Sequence, residues 1–219
     1  MIQWEYLWTG TLETLLMTFF ASLFSYVIGL PLGVLLVITR KDGIKPKPVF
    51  NTVLGTIINF LRSIPFILLI AMLIPVTRFV MGTAIGTAAS VFPLVISAAP
   101  YVARMVESSL MEVDRGVVEA SQSMGSTTWQ IVTKVLLPEA VPSLVNGAAV
   151  CITTILAYTA MVSAVGGGGV GAYAITKGYQ RGSRYYAFMY AASAVLVLLV
   201  QIITVTGTWL SRHMDHRIR

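Results

Sequence analysis

Residues able to do chemistry are few in this chain, and their spacing narrows what they could do. Cys151 is the single thiol, so there is no internal disulfide framework, and a lone Cys in an apolar run reads as a small buried side chain. His213 and His216 stand as H-x-x-H in Arg212-His213-Met214-Asp215-His216-Arg217. That spacing suits two metal ligands, but no third is in view, and a solvated basic tail is the simpler reading. No metal site is therefore expected. The run Gly166-Gly167-Gly168-Gly169-Val170-Gly171 contains a nominal G-x-G-x-x-G. A dinucleotide site would need a strand before it and a helix after it, whereas an apolar helix and a short loop flank it here. The run reads instead as a break at a helix end, either lining a pathway or forming a plain loop, because glycine permits close backbone approach. No G-x-x-x-x-G-K-[ST] occurs and no Gly-Lys pair, so a partner must hold any ATP that is used.

The elements that position these residues follow from the charge map. Only 11% of the 219 residues are charged and 56% are hydrophobic, against about a quarter charged in soluble domains. That composition excludes disorder, a collagenous repeat and a nucleic-acid arm. The net charge of +6 fits lipid head groups better than DNA. Charge-free or nearly charge-free stretches then define five apolar helices, near 15–38, 53–77, 79–101, 145–168 and 185–209. Each is long enough for a bilayer, which takes about 20 residues, and backbone in lipid must be helical. A short turn is expected near Pro75 to Gly82. Pro31, Pro65, Pro75, Pro93 and Pro100 mark kinks or ends of spans. Arg62 is the one charge inside a span, in Phe60-Leu61-Arg62-Ser63-Ile64-Pro65-Phe66. It is either a snorkelling or carbonyl-paired side chain or a fixed charge at the inner mouth of a pathway. No acid, His or Lys stands in the spans to titrate against it, which disfavours secondary transport and intramembrane hydrolysis.

With the N-terminus outside, the inner side receives Arg40, Lys41, Lys45, Lys47, Arg104, Arg115, Lys134, Arg212, Arg217 and Arg219. The outer side receives Arg78, Lys177, Arg181 and Arg184. The positive-inside rule thus favours N-out and C-in. No Lys or Arg precedes Arg40, so the first span lacks the basic start of a cleavable leader and is expected to stay as an anchor. The fold class is an all-α integral membrane protein with five transmembrane helices. Residues 1–12 form an external N-terminus, 13–210 the membrane domain and 211–219 a basic inner tail. Between the third and fourth spans lies a polar cytoplasmic loop, about 102–139, long enough to suggest function. There, residues 112–124 read as a short helix stopped by Gly125. Thr127-x-x-Gln130 is a capping box that opens a second helix, and Pro138 limits it. Small Ala120 and Ser121 would let a partner approach closely, and Glu119 offers it a charge.

Within this loop, Glu119-Ala120-Ser121-Gln122-Ser123-Met124-Gly125 and Val135-Leu136-Leu137-Pro138 resemble the EAA loop of bacterial ABC importer permeases. Glu119, Ala120, Gly125, Leu137 and Pro138 fall in register, with Ser121 replacing the second Ala and Val135 replacing Ile. Further stretches are similar to the methionine importer permease. They include Glu13-Thr14-Leu15, Gly29-Leu30-Pro31-Leu32-Gly33, Arg62 to Phe66, Ala103-Arg104-Met105-Val106-Glu107 and the glycine run.

The resemblance implies a homodimeric permease in the bacterial inner membrane. Two ATP-binding subunits would bind Mg-ATP and dock on Glu119, Ala120, Ser121, Gly125, Leu137 and Pro138, and this chain would bind no cofactor. A substrate-binding lipoprotein would deliver D- or L-methionine from outside, and transport would proceed by alternating access. The expected path lining is Arg62, Pro65, Tyr158, Met161, Gly166 and Gly168, with Met161 either an apolar gate or an ordinary packing residue. A permease of the same architecture for another amino acid, an ATP-independent carrier or membrane enzyme, and a non-transporting scaffold are the alternatives.

Overall fold

The computed structural model describes residues 4–215, and among these there is no strand. The helices are α1 (Trp4–Thr39), α2 (Pro48–Ser63), α3 (Phe66–Met72), α4 (Ile74–Met81), α5 (Thr87–Met111), α6 (Arg115–Ser123), α7 (Thr128–Ile131), α8 (Leu137–Thr159), α9 (Val170–Tyr173) and α10 (Tyr186–Met214). Four apolar segments are long enough to cross a membrane: Trp4–Thr39, Thr87–Met111, Thr128–Val165 and Ser183–Met214. The second expected span is broken. α2 and α3 pass the same test only as a pair, bent by 99°. The bend has a local cause. A proline disfavours α-helical backbone in the residue before it, and Ile64 takes φ −81° and ψ 121° ahead of Pro65.

Other boundaries move as well. The turn expected from Pro75 to Gly82 is helix α4, with Pro75 in its first turn, where a missing N–H costs nothing. Pro31, Pro93 and Pro100 lie inside α1 and α5 and end neither helix. The stretch 102–139 is largely helical, as its three- to four-residue pattern at Val102, Met105, Val106 and Leu110 suggests, but its first part belongs to α5, which runs on to Met111, and α7 continues into α8 through a widened turn at Val132–Leu136. In that turn the Leu137 N–H donates to the Val132 carbonyl, five residues back. Pro138 therefore sits at the start of α8 without ending the helix. The extra backbone of a π-type turn accommodates the residue that lacks a donor.

α5 is the central helix. Of its apolar window 61% is buried, against 11% for the last segment, whose Val197, Leu198, Ile202 and Val205 face outward. Leu94, Val95 and Ala98 of α5 pack with Met17 and Ala21 of α1, Phe66 and Ile70 of α3, and Ile155 of α8. Further along, Val102, Val106 and Leu110 pack with Ile131, Val132, Leu136 and Cys151. Burial of apolar area drives little between helices in lipid, so close backbone approach at small residues carries the packing. A Cβ on Gly29 would stand 2.7 Å from the Ala99 carbonyl, and one on Gly33 2.6 Å from the Ala103 carbonyl. These glycines let α1 lie directly against α5.

Candidate functional site

The protrusion between α5 and α8 is built from local signals. Asp114 caps α6, its side chain accepting from the Gly116 N–H at 2.6 Å. At the other end the Gly125 N–H donates to the Gln122 carbonyl at 2.9 Å, and the Ser126 N–H to the Ser121 carbonyl at 3.2 Å. These two bonds form a Schellman stop, and Gly125 takes the φ of +79° that it requires. Two residues later the capping box forms. The Gln130 N–H donates to Thr127 Oγ1 at 3.3 Å, and the Thr127 N–H donates to Gln130 Oε1 at 2.8 Å. Two helices thus meet at a rigid glycine elbow.

Glu119 and Ala120 on α6 are exposed, as are Gly125 and Pro138, while Leu137 is half-buried. Ser121, on the same helix, is buried and lines a cavity with Met124, Gly125 and Gln130. Apolar Met124 and Trp129 are exposed at 79% and 74%. A motif reading had not singled them out. Beside the protrusion, Asp42 pairs with Arg40 at 3.0 Å and with Arg115. Its carboxyl is held below the usual carboxylate range, first by its own backbone N–H and then by the two guanidinium groups. Glu119 and Gln122 share a cavity of about 280 Å³ with this ion-pair cluster.

The expected path residues fall into two groups. At the α2–α3 bend, Arg62 is exposed and its guanidinium lies 5.7 Å from the ring centroid of Tyr101. Pro65 opens α3, whose Phe66 stacks on Tyr158 with centroids 4.7 Å apart. Met161, 44% exposed, stands in the tightened turn Ala160–Val165 that finishes this segment. Gly166 ends it with φ +79°. The glycine run is held from two sides. The Gly86 N–H donates to the Gly166 carbonyl at 3.1 Å, the Gly169 N–H donates to Glu13 Oε2 at 2.7 Å, and the Val170 N–H donates to Thr14 Oγ1 at 2.9 Å.

Glu13 is thus a site residue that sequence reasoning missed. No acid is expected in the spans, yet Glu13 lies well inside α1, within the apolar segment Trp4–Thr39, and is half-buried. Arg104 is another. It donates to Asn59 Oδ1 at 3.1 Å, the Gly55 carbonyl at 2.9 Å and Glu107 Oε2 at 2.6 Å, tying α2 to α5. His213 stacks on Trp209 at 5.5 Å, and His216 lies outside the described residues. Among the described residues no three His, Cys, Asp or Glu gather as metal ligands do.

Residues 29–219 match the model of the binding-protein-dependent transport system inner membrane component. The chain belongs to this family. It is therefore a component of a bacterial inner-membrane transport system and not an enzyme. Relatives include the probable D-methionine transport system permease protein MetI of Pasteurella multocida (strain Pm70), 46% identical over 98% of both chains. The D-methionine transport system permease protein MetI of Escherichia coli (strain K12) is 50% identical over 69% of this chain and 70% of its own. Among solved structures, a chain of the MetNI methionine ABC transporter in inward-facing conformations superposes with a TM-score of 0.93. It is 44% identical, and 98% of each chain is covered.

Proposed function

We propose that this chain is the membrane-spanning subunit of an ATP-driven methionine importer. It works as a homodimer with two ATP-binding subunits and a substrate-binding lipoprotein. The observation that carries this reading is the superposition on the MetNI chain along almost the whole length. In this reading α2 and α3 together form one broken span, the fifth, and the balance of Lys and Arg supports an N-terminus outside. The membrane domain is 13–210, with an external start at 1–12 and an inner tail at 211–219.

Helix length supports a cytoplasmic protrusion. The segment Thr128–Val165 has 38 residues, about 57 Å at 1.5 Å per residue, against a hydrocarbon core of about 30 Å. The surplus falls at its charged start, which carries Lys134 and Glu139, so its first turns, and α6 beside them, stand clear of the lipid. Glu119, Ala120, Ser121, Gly125, Leu137 and Pro138 form the docking surface for the ATPase. Mg-ATP belongs to that partner. Closure of the ATPase pair draws the two protrusions together, α8 carries the movement across the membrane, and the path opens outward. ATP favours that state only through contacts that differ between the two conformations. Arg62, Pro65, Tyr158, Met161, Gly166 and Gly168 line or frame the path between α2–α3 and the end of α8.

The test is recovery of the chain from native membranes. Stoichiometric co-purification of an ATPase subunit is expected, and a solitary protein contradicts the proposal.

A further inference from the structure

Glu13 and the glycine run are shaped for each other. A Cβ at Gly168 would stand 2.3 Å from Glu13 Oε2 and 2.6 Å from Thr87 Oγ1. Gly168 has no left-handed backbone to explain it, so its missing side chain is explained by the carboxylate that occupies the space. A Cβ at Gly169, where φ is +100°, would stand 2.8 Å from Thr14 Oγ1. Two donors reach the carboxylate from this region: the Gly169 N–H on Oε2 at 2.7 Å and the Tyr173 hydroxyl on Oε1 at 3.4 Å. The nearby cation, Lys177, lies over the Tyr6 ring at 5.0 Å, and Tyr6 in turn packs on Tyr173 at 5.6 Å. A carboxylate on the first helix is thus built into backbone 156 residues away.

We propose that Glu13 is a positioning residue for transport. It pins the outer end of the α8 segment to α1, so that the stroke entering at the Gly125 elbow reaches the outer mouth as a movement of both. The inference rests on the transport reading above. One continuous helical segment, Thr128–Val165, joins the elbow to the glycine run. At its far end the bonds to Glu13 and Thr14 on α1, and to Gly86 at the start of α5, take up the motion. Without the carboxylate, ATP hydrolysis continues while the outer mouth no longer follows.

The experiment is a double-mutant cycle in the complete transporter reconstituted with its ATPase and binding protein. Methionine uptake and ATP hydrolysis are read together for E13A, E13Q, G168A and E13A/G168A. E13A is expected to lower uptake per ATP about tenfold, as loss of a charge-assisted bond would. E13Q, whose amide oxygen still accepts from the Gly169 N–H, stays within about threefold of wild type. G168A alone also lowers uptake per ATP, because the methyl displaces the carboxylate; with its second contact, Thr87 Oγ1 at 2.6 Å, removed by running the cycle in a T87A background, it adds little to E13A. Normal coupling in E13A, or losses that multiply in the double variant on that background, overturns the proposal. Should E13A not accumulate, G168A reaches the same contact from the other side, and normal coupling there overturns it equally. Absence of ATP-dependent uptake in wild type would instead overturn the transport reading.

Discussion

Replacement of Gly125 tests the elbow through backbone conformation alone. The residue holds φ at +79°, and a Cβ built there meets nothing within 4 Å. Sterics with neighbours thus add nothing, and the penalty is the left-handed conformation itself, about 1–2 kcal/mol for an L side chain. α6 runs only from Arg115 to Ser123, and one of its ends is fixed by this stop. The penalty falls on the local order of the protrusion and lowers the ratio of its ordered to disordered forms roughly five- to thirtyfold. Asn tolerates this conformation better than Ala, and a β-branched side chain tolerates it worst. ATP-driven uptake in proteoliposomes should therefore rank Gly125, then G125N, then G125A, then G125V, with insertion unchanged. A ranking by size, with Ala better than Asn, would show that space against the partner sets the requirement, and would refute the backbone argument. Full uptake by G125V would remove the elbow from the mechanism.

Three further outcomes are expected. G29L forces a side chain into the contact with Ala99 and Val102, so its unfolding midpoint in detergent falls by overpacking of about 1–3 kcal/mol, and an unchanged midpoint contradicts the close α1–α5 packing. W129A removes an exposed apolar anchor beside the elbow and weakens ATPase capture on a sensor chip roughly five- to thirtyfold, whereas equal capture makes Trp129 a spectator. Asp42 titrates below its ordinary value of 3.8, so its ion pairs contribute fully above that value and are lost only as pH falls through the lower folded one. Uptake curves of D42N and wild type should then run parallel between about pH 5 and 8, and a divergence in that window refutes the assignment.

Much of this was legible because the signals are local. Charge-free stretches mark α1 and α10, since lipid admits nothing else of that length. Gly125 and the pair Thr127 and Gln130 specify a helix stop and a helix start from residues within one turn of each other. What was not legible depends on distant chain. The partner of Glu13 is 156 residues away, so nothing near it in the sequence marks its carboxylate as held. Pro138 read as a helix end because nothing in its spelling announces the wide turn that accommodates it. The burial of Ser121 beside exposed Ala120 likewise depends on how α6 lies on the rest of the chain. Pro65 announces a break through its effect on Ile64, but the residue types do not spell out the size of the angle, 99° between α2 and α3. The family pattern located the elbow, and the geometry added the residues that hold the far end of its lever.

The most direct test of the account is uptake of radiolabelled methionine by proteoliposomes holding this permease, its ATPase and its binding protein. The account predicts accumulation that requires all three proteins and ATP inside the compartment that faces the elbow. Accumulation without the ATPase, or none with all three present, would contradict it.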